Sequence, residues 1–112
     1  MSHLELDVSQ PFTLDEDGYL ADRAIWSKEV AEQLASEEHI TLSPIHWAHI
    51  ELVQRYFAEF DHAPAMRPLV NWIKVHRGAD EGNSRFLHHL FPVSPAKQLA
   101  RIAGLPKPTK CL

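Results

Sequence analysis

Residues 41–60, TLSPIHWAHIELVQRYFAEF, contain the strongest helix signal in the chain. Ser43 is a suitable N-cap, and Pro44 suits the first helical position, where its missing N–H costs no hydrogen bond. The apolar residues that follow recur at helical spacing and predict one stripe: Ile45, Ala48, Leu52, Val53, Tyr56, Phe57 and Phe60. The segment DHAP, residues 61–64, ends the pattern. The stretch therefore predicts a long amphipathic helix.

Four further segments predict helices, at residues 27–38, 66–77, 84–91 and 95–103. Ser27 and Ser94 are their clearest N-caps, and Gly104 suits the position after the last one. Earlier in the chain, the alternation in HLELDVS (3–9) predicts a short strand, and FTL and YL around DEDG (15–18) predict a hairpin. Strands followed by helices indicate an α+β fold.

The predicted architecture is a small N-terminal antiparallel β-meander packed on an array of about five helices. We expect residues 1–104 to form one globular domain and residues 105–112 to form an extended mobile C-terminal arm. The length of 112 residues suits one hydrophobic core, and 45% apolar with 23% charged residues is typical of globular proteins. No apolar run approaches the roughly 20 residues that cross a bilayer, and the start resembles no signal peptide. We therefore expect a cytoplasmic protein without a membrane partner.

The net charge of -4 weakens a nucleic-acid-binding hypothesis, although the helices at 41–60 and 66–77 could form a helix-turn-helix. Eight histidines raise the question of a metal, and His46 and His49 are three residues apart. A zinc site needs three or four converging ligands, and the sequence contains no HExxH or paired CxxC. We expect surface or helix-flanking histidines, no metal and no cofactor.

The last nine residues, GLPKPTKCL (104–112), hold the only cysteine of the chain, Cys111. Pro106 and Pro108 remove backbone donors and keep the segment extended, so it can reach about 20 Å beyond Gly104. A lone thiol cannot form an internal disulfide, and it persists in a reducing compartment. Thiols react as thiolates, which Lys107 and Lys110 would favour. The alternative from these residues alone is a frayed terminus with an incidental cysteine.

Two segments, PAKQLARIAGLPKPTKCL (95–112) and GNSRFLHHLFP (82–92), closely resemble the TusE/DsrC family of sulfur-carrier proteins. The similarity extends upstream through DEDGYL, AIWSKEVA, LSPIHW and APAMRPLV, and covers about residues 12–112. It implies a β-meander on helices with a mobile arm. It also implies a sulfurtransferase whose Cys111 accepts a persulfide from a TusBCD-like donor complex. An MnmA-like thiouridylase would then use the sulfur to make wobble 2-thiouridine in tRNA, with which this chain has at most indirect contact.

The DsrC branch of this family has a second cysteine in the arm at the position of Ala100. One thiol can hold a persulfide but cannot close an internal bridge, so the resemblance favours the TusE-like branch. A DsrC-like or single-cysteine paralogue with another sulfur or regulatory role is the alternative. Candidates to support an anionic persulfide or to dock partners are Arg67, Arg85, Arg101, Lys107 and Lys110.

Overall fold

The computed structural model describes residues 12–108, and residues 1–11 and 109–112 lie outside the described part. Within residues 12–108 the chain forms a 3₁₀ turn and five α-helices. The turn is Arg23–Ile25, and the helices are α1 (Lys28–Glu37), α2 (Pro44–Phe60), α3 (Met66–Arg77), α4 (Ser84–Leu90) and α5 (Pro95–Ile102). The predicted number of about five helices is confirmed.

Local capping chemistry sets where these helices begin. The Ser27 hydroxyl accepts a hydrogen bond from the Val30 N–H at 3.2 Å and caps α1, as the sequence predicts. Asn83, which directly precedes the predicted helix 84–91, caps α4 by accepting from the Phe86 N–H at 2.8 Å. Helices α2 and α5 each begin with the predicted serine–proline pair.

Helix α5 is the centre of the domain, and it contacts each of the other four helices. Leu99, Ala100 and Ile102 are fully buried against residues of these helices. Its apolar residues lie on the face that packs against these helices, and the polar Gln98 is buried among them as well. The chain that follows α5 therefore starts from the middle of the hydrophobic core.

The prediction of an N-terminal β-meander is wrong for the part of the chain that is described. Between residues 12 and 108 the only strand-like pairing is one isolated antiparallel bridge, between Leu14 and Leu20. The carboxylate of Asp15 accepts hydrogen bonds from the N–H groups of Asp17 and Tyr19, both at 2.9 Å, and so closes a tight turn. Asp22 then caps the 3₁₀ turn, which leads the chain away from further pairing. The predicted strand at residues 3–9 lies outside the described residues.

Two histidines of α2 are buried, contrary to the expectation of surface positions. His46 is 8% exposed, and its Nδ1 accepts from the Ser43 N–H at 3.1 Å. Its Nε2 therefore carries the proton and donates to the Leu90 carbonyl at 3.0 Å, which ties α2 to the end of α4. By contrast, Phe60 of the predicted stripe is 45% exposed. The buried face of α2 is thus rotated from the predicted one.

His49 is fully buried, and its Nε2 lies 3.0 Å from a carboxylate oxygen of Glu81 in the loop after α3. Arg77 pairs with the same carboxylate. The His49 Nδ1 has no hydrogen-bond partner among the described residues. Burial, which outweighs the attraction of Glu81, lowers the pKa of His49 below its usual value. His49 is therefore neutral in the folded protein at neutral pH.

This burial predicts a loss of stability on acidification. Below about pH 6.5 the unfolded chain takes up a proton at His49, whereas the folded chain resists protonation there. The free energy of unfolding therefore decreases as the pH is lowered, by at most about 1.4 kcal/mol per pH unit. His49→Gln keeps a hydrogen-bond donor for Glu81 but does not titrate. In this variant the free energy of unfolding, measured in urea, should depend less on pH between pH 7.5 and 5.5 than it does in the wild type. His88→Gln, which changes an exposed histidine of α4, is the control and should keep the wild-type slope. Equal slopes in wild type and His49→Gln contradict the prediction.

Between residues 12 and 108, there is no group of three or more His, Cys, Asp or Glu side chains that could hold a metal ion. Over the same residues, no helix is both long and apolar enough to cross a bilayer.

Candidate functional site: the root of the C-terminal arm

Residues 102–105, here called the arm root, connect α5 to the C-terminal arm. The N–H of Leu105 donates to the Ala100 carbonyl at 2.9 Å, and the N–H of Gly104 donates to the Arg101 carbonyl at 3.2 Å. This pair of bonds is a Schellman motif, in which the residue after the cap adopts a left-handed conformation. Gly104 has φ +79°, which confirms its predicted place after the last helix.

Two side chains from distant elements bind the carbonyls of the arm root. The indole N–H of Trp26, which follows the 3₁₀ turn, donates to the Ile102 carbonyl at 2.9 Å. The amide of Gln54, on α2, donates to the Ala103 carbonyl at 2.9 Å. A Cβ atom added at Gly104 would lie 2.5 Å from Cδ1 of Trp26, so the indole packs directly on the glycine backbone. The arm root is therefore held on both sides.

The chain leaves the core after Leu105. Leu105 is 4% exposed and belongs to the hydrophobic core, whereas Pro106 and Lys107 are exposed. The ammonium of Lys107 lies 3.8 Å from a carboxylate oxygen of Asp17 in the turn near the N-terminus. The predicted division between residues 104 and 105 stays a prediction, and the burial of Leu105 favours an arm that begins at Pro106.

Two grooves open beside the arm root and share Trp26 and Gln54. One, of about 230 Å³, also contacts Phe57, whose ring lies 4.4 Å below the guanidinium of Arg23. The other, of about 260 Å³, is lined by Trp47, with the ammonium of Lys28 5.9 Å from its ring. Aromatic rings beneath cations give this surface both apolar area and positive charge.

Among the described residues, two of the predicted site residues lie on helices other than the one that leads into the arm root. Cys111 and Lys110 lie outside the described residues. Arg67 and Arg85 are exposed on α3 and α4 and line neither groove. Lys107 is exposed on the arm itself. Their predicted role in supporting a persulfide stays a prediction.

Arg101 has a structural environment that the sequence analysis missed. Its Nε donates to the Gly18 carbonyl at 2.7 Å, and its two terminal nitrogens donate to Glu38 at 2.9 Å and Glu37 at 2.7 Å. Burial works against the charge, but the hydrogen bonds to both carboxylates outweigh it and raise the pKa of Arg101. Because two carboxylates already neutralise this guanidinium, it is a poor candidate to stabilise a further anion.

The helix pair considered for DNA binding, α2 and α3, is joined by residues 61–65, where Asp61 is left-handed. The indole N–H of Trp72 donates to the Leu52 carbonyl at 2.8 Å, so the two helices pack against each other. Arg77, at the end of α3, is paired with Glu81. None of these contacts adds to the nucleic-acid hypothesis.

Comparisons with known proteins agree with one another. The family model described as "DsrC like protein" matches residues 8–112. The chain is 47% identical over 98 residues to the Sulfurtransferase TusE homolog of Haemophilus influenzae, and 46% identical over 98 residues to Sulfurtransferase TusE of Escherichia coli K12. Each match covers 88% of this chain and 90% of the relative.

Solved structures give the same result. The NMR structure of Allochromatium vinosum DsrC matches with a TM-score of 0.82 and 42% identity, over 90% of both chains. The oxidized gamma-subunit of the dissimilatory sulfite reductase (DsrC) from Archaeoglobus fulgidus matches with a TM-score of 0.77 and 42% identity, over 90% of this chain and 92% of that one. These comparisons confirm the family resemblance inferred from the sequence.

Proposed function

Because the chain belongs to the DsrC-like protein family, we propose that it is a sulfur carrier whose reactive group is the thiol of Cys111. The observation that carries this proposal is the arm root. A core helix ends in a doubly held turn, and the segment that leaves this turn carries the only cysteine of the chain. An arm built in this way presents a thiol to other proteins and leaves the domain folded.

The chemistry is an exchange of one sulfur atom between thiols. The Cys111 thiolate attacks the outer sulfur of a donor persulfide, the donor's sulfur–sulfur bond breaks, and the donor cysteine leaves as a thiolate. Cys111 then holds the transferred sulfur as a persulfide. An acceptor thiolate attacks that outer sulfur in turn and releases the Cys111 thiolate. The two steps need no external oxidant or reductant, and they place few demands on groups beside the thiol.

The sequence predicts a sulfurtransferase, and relatives named Sulfurtransferase TusE, at about 46% identity, confirm this class of activity. The TusE name also supports a relay partner of the Tus type. The finer assignment is a TusBCD-like donor and an MnmA-like tRNA thiouridylase as acceptor, working in the reducing cytoplasm. This chain delivers sulfur to the acceptor, and the acceptor contacts the tRNA.

Ala100 supports the TusE-like branch over the DsrC branch. The chain has one cysteine, and alanine stands where the DsrC branch has the second thiol. This position, which the resemblance placed in the arm, lies before the arm and is fully buried in α5. A carrier with one thiol releases its sulfur by intermolecular attack only, because no internal thiol can displace it. Oxidation of this protein should accordingly give disulfides between chains and no compact oxidised monomer.

Intact-mass spectrometry tests the proposal directly. Incubation with a cysteine desulfurase, cysteine and a TusBCD-type complex should add the mass of one sulfur atom to the chain, and a reductant should remove it. Cys111→Ser should stay unmodified with an unchanged melting temperature, since it replaces the thiol by a hydroxyl of similar size.

If the wild-type chain kept its original mass after incubation with a competent donor, the result would contradict the carrier function. The route to tRNA has a separate test, the content of wobble 2-thiouridine in a deletion strain. That content should fall, and Cys111→Ser should fail to restore it. Normal thiolation in a strain without a paralogue would leave the carrier function standing and overturn the tRNA assignment.

A further inference from the structure

We propose that Trp26 and Gln54 are positioning residues for sulfur transfer. By binding the carbonyls of Ile102 and Ala103, they fix the direction in which the arm leaves the domain, and hence the region in which Cys111 meets its partners. The proposal rests on the proposed function of Cys111, and it concerns residues more than fifty positions away from that cysteine in the sequence.

The last carbonyls of an α-helix have no partner within the helix, and solvent can satisfy them. In α5 they accept instead from two side chains of separate elements, the loop before α1 and the middle of α2. In the other helices of residues 12–108, at most one distant side chain binds a terminal carbonyl, as His46 does with Leu90 in α4. Ile102 and Ala103 are buried, so these side chains take the place of solvent, and they bind the end of α5 from two elements at once.

The glycine at the arm root adds to this restraint. Gly104 packs with its backbone against the indole of Trp26 and leaves no room for a Cβ atom. Leu105 is buried and donates to the Ala100 carbonyl, so the turn is fixed on the inner side as well. The first exposed residue after this turn is Pro106. The direction of the arm is thus set within three residues of the end of α5.

The two prolines extend this direction along the arm. Leu105 and Lys107 each precede a proline, which disfavours helical backbone and leaves extended conformations. A segment of this kind behaves as a semi-rigid spacer of about 3 Å per residue. The direction set at Gly104 is therefore kept as far as Pro108, and Cys111 is the third residue after Pro108.

The direction of the arm limits the volume that the Cys111 thiol can explore. If residues 109–111 were fully flexible, they would spread the thiol by about 10 Å around the end of a directed arm. If the direction at Gly104 were free, the semi-rigid segment of about 12 Å would also swing, and the combined spread would be about 15 Å. The volume that the thiol explores grows about threefold to fourfold, and its effective concentration at a docked partner falls by the same factor. Release of the arm root should therefore slow transfer between proteins without changing the thiol itself.

The test uses a double variant, Trp26→Phe with Gln54→Leu, which removes both donors and keeps most of the side-chain volume. The matched control is Trp72→Phe with Gln33→Leu. It makes the same two changes and removes the indole hydrogen bond to Leu52, away from the arm root. The probes are a TusBCD-type complex loaded with persulfide and iodoacetamide, a small reagent for thiols.

We expect the second-order rate constant for sulfur uptake from the loaded complex to fall threefold or more in the double variant. Alkylation of Cys111 by iodoacetamide should keep its wild-type rate, and the control variant should match wild type in both assays. An equal loss of uptake in both variants would mean that general destabilisation is the cause. Slower alkylation would mean that the substitutions act on the thiol. Either result overturns the proposal.

A second measurement does not depend on sulfur transfer. A dye attached to Cys111 reports the motion of the arm through its time-resolved fluorescence anisotropy. The anisotropy should decay to a lower residual value in the double variant and should be unchanged in the control. Unchanged anisotropy in the double variant overturns the positioning role. If wild type takes up no sulfur but the anisotropy changes as expected, the carrier function fails and the anchoring of the arm by Trp26 and Gln54 stands.

Discussion

Replacing Gly82 with alanine is expected to lower the free energy of unfolding by about 3 kcal/mol or more, the upper end of the cost of overpacking a core. A Cβ atom at this position would lie 2.3 Å from Cα and 2.4 Å from the backbone nitrogen of Lys74. These are main-chain atoms of α3, so no side-chain rotation relieves the contact. The loop carrying Glu81 would have to move away from the helix.

Gly78→Ala is the matched control for this prediction, because Gly78 begins the same loop. It has φ +95° and ψ 169°, a region that essentially only glycine adopts, and nothing lies within 4 Å of an added Cβ, so alanine there meets backbone strain of about 1–3 kcal/mol without a clash. Thermal unfolding should show a decrease of about 10 °C or more for Gly82→Ala and a smaller one for Gly78→Ala. An unchanged melting temperature in Gly82→Ala would show that the close approach of Gly82 to α3 has no energetic weight.

The helices could be predicted from the sequence because their boundaries depend on nearby residues. A serine cap, a proline at the first helical position and a closing glycine act within one turn of the helix they limit. Ser27, Ser43 and Gly104 were all found where these rules place them. Asn83 was missed, although it too acts locally, because it stands in a run of turn-forming residues where several caps are equally suitable.

Within residues 12–108 the β-meander was predicted wrongly, because short apolar segments on either side of a turn show a preference for strands without showing how far they pair. Around DEDG the Asp15 carboxylate takes up two backbone N–H groups, and this turn geometry replaces further pairing. Short apolar alternations next to Asx turns therefore give little information on sheet formation.

The candidate site could be predicted only in part, because its contacts connect distant parts of the chain. Cys111 and the two prolines of the arm can be seen in the sequence, but Trp26 and Gln54 meet the arm root across 76 and 49 residues. The burial of His46 and His49 depends on Leu90 and Glu81, 44 and 32 residues away. No local pattern marks these pairs.

Arg101→Met should destabilise the protein by about 2 kcal/mol and leave the reactivity of Cys111 unchanged. The guanidinium is 16% exposed and joins three parts of the chain: α5, the end of α1 and the turn at Gly18. Removing it leaves Glu38, 24% exposed, without its cation, and leaves the Gly18 carbonyl without this donor. Partial exposure of both carboxylates keeps the expected loss below that of a fully buried pair.

Arg85→Met provides the control, since Arg85 is exposed and forms no ion pair with the described residues. Surface changes of this kind usually alter stability by no more than about 0.5 kcal/mol. Urea unfolding should separate the two variants, while their alkylation rates at Cys111 and their persulfide uptake per folded molecule should both equal wild type. If Arg101→Met lost sulfur uptake at temperatures where it is fully folded, the guanidinium would have to act on the persulfide, and its pairing with Glu37 and Glu38 would have to open during transfer. The observed geometry, with a carboxylate on each terminal nitrogen, favours the structural role.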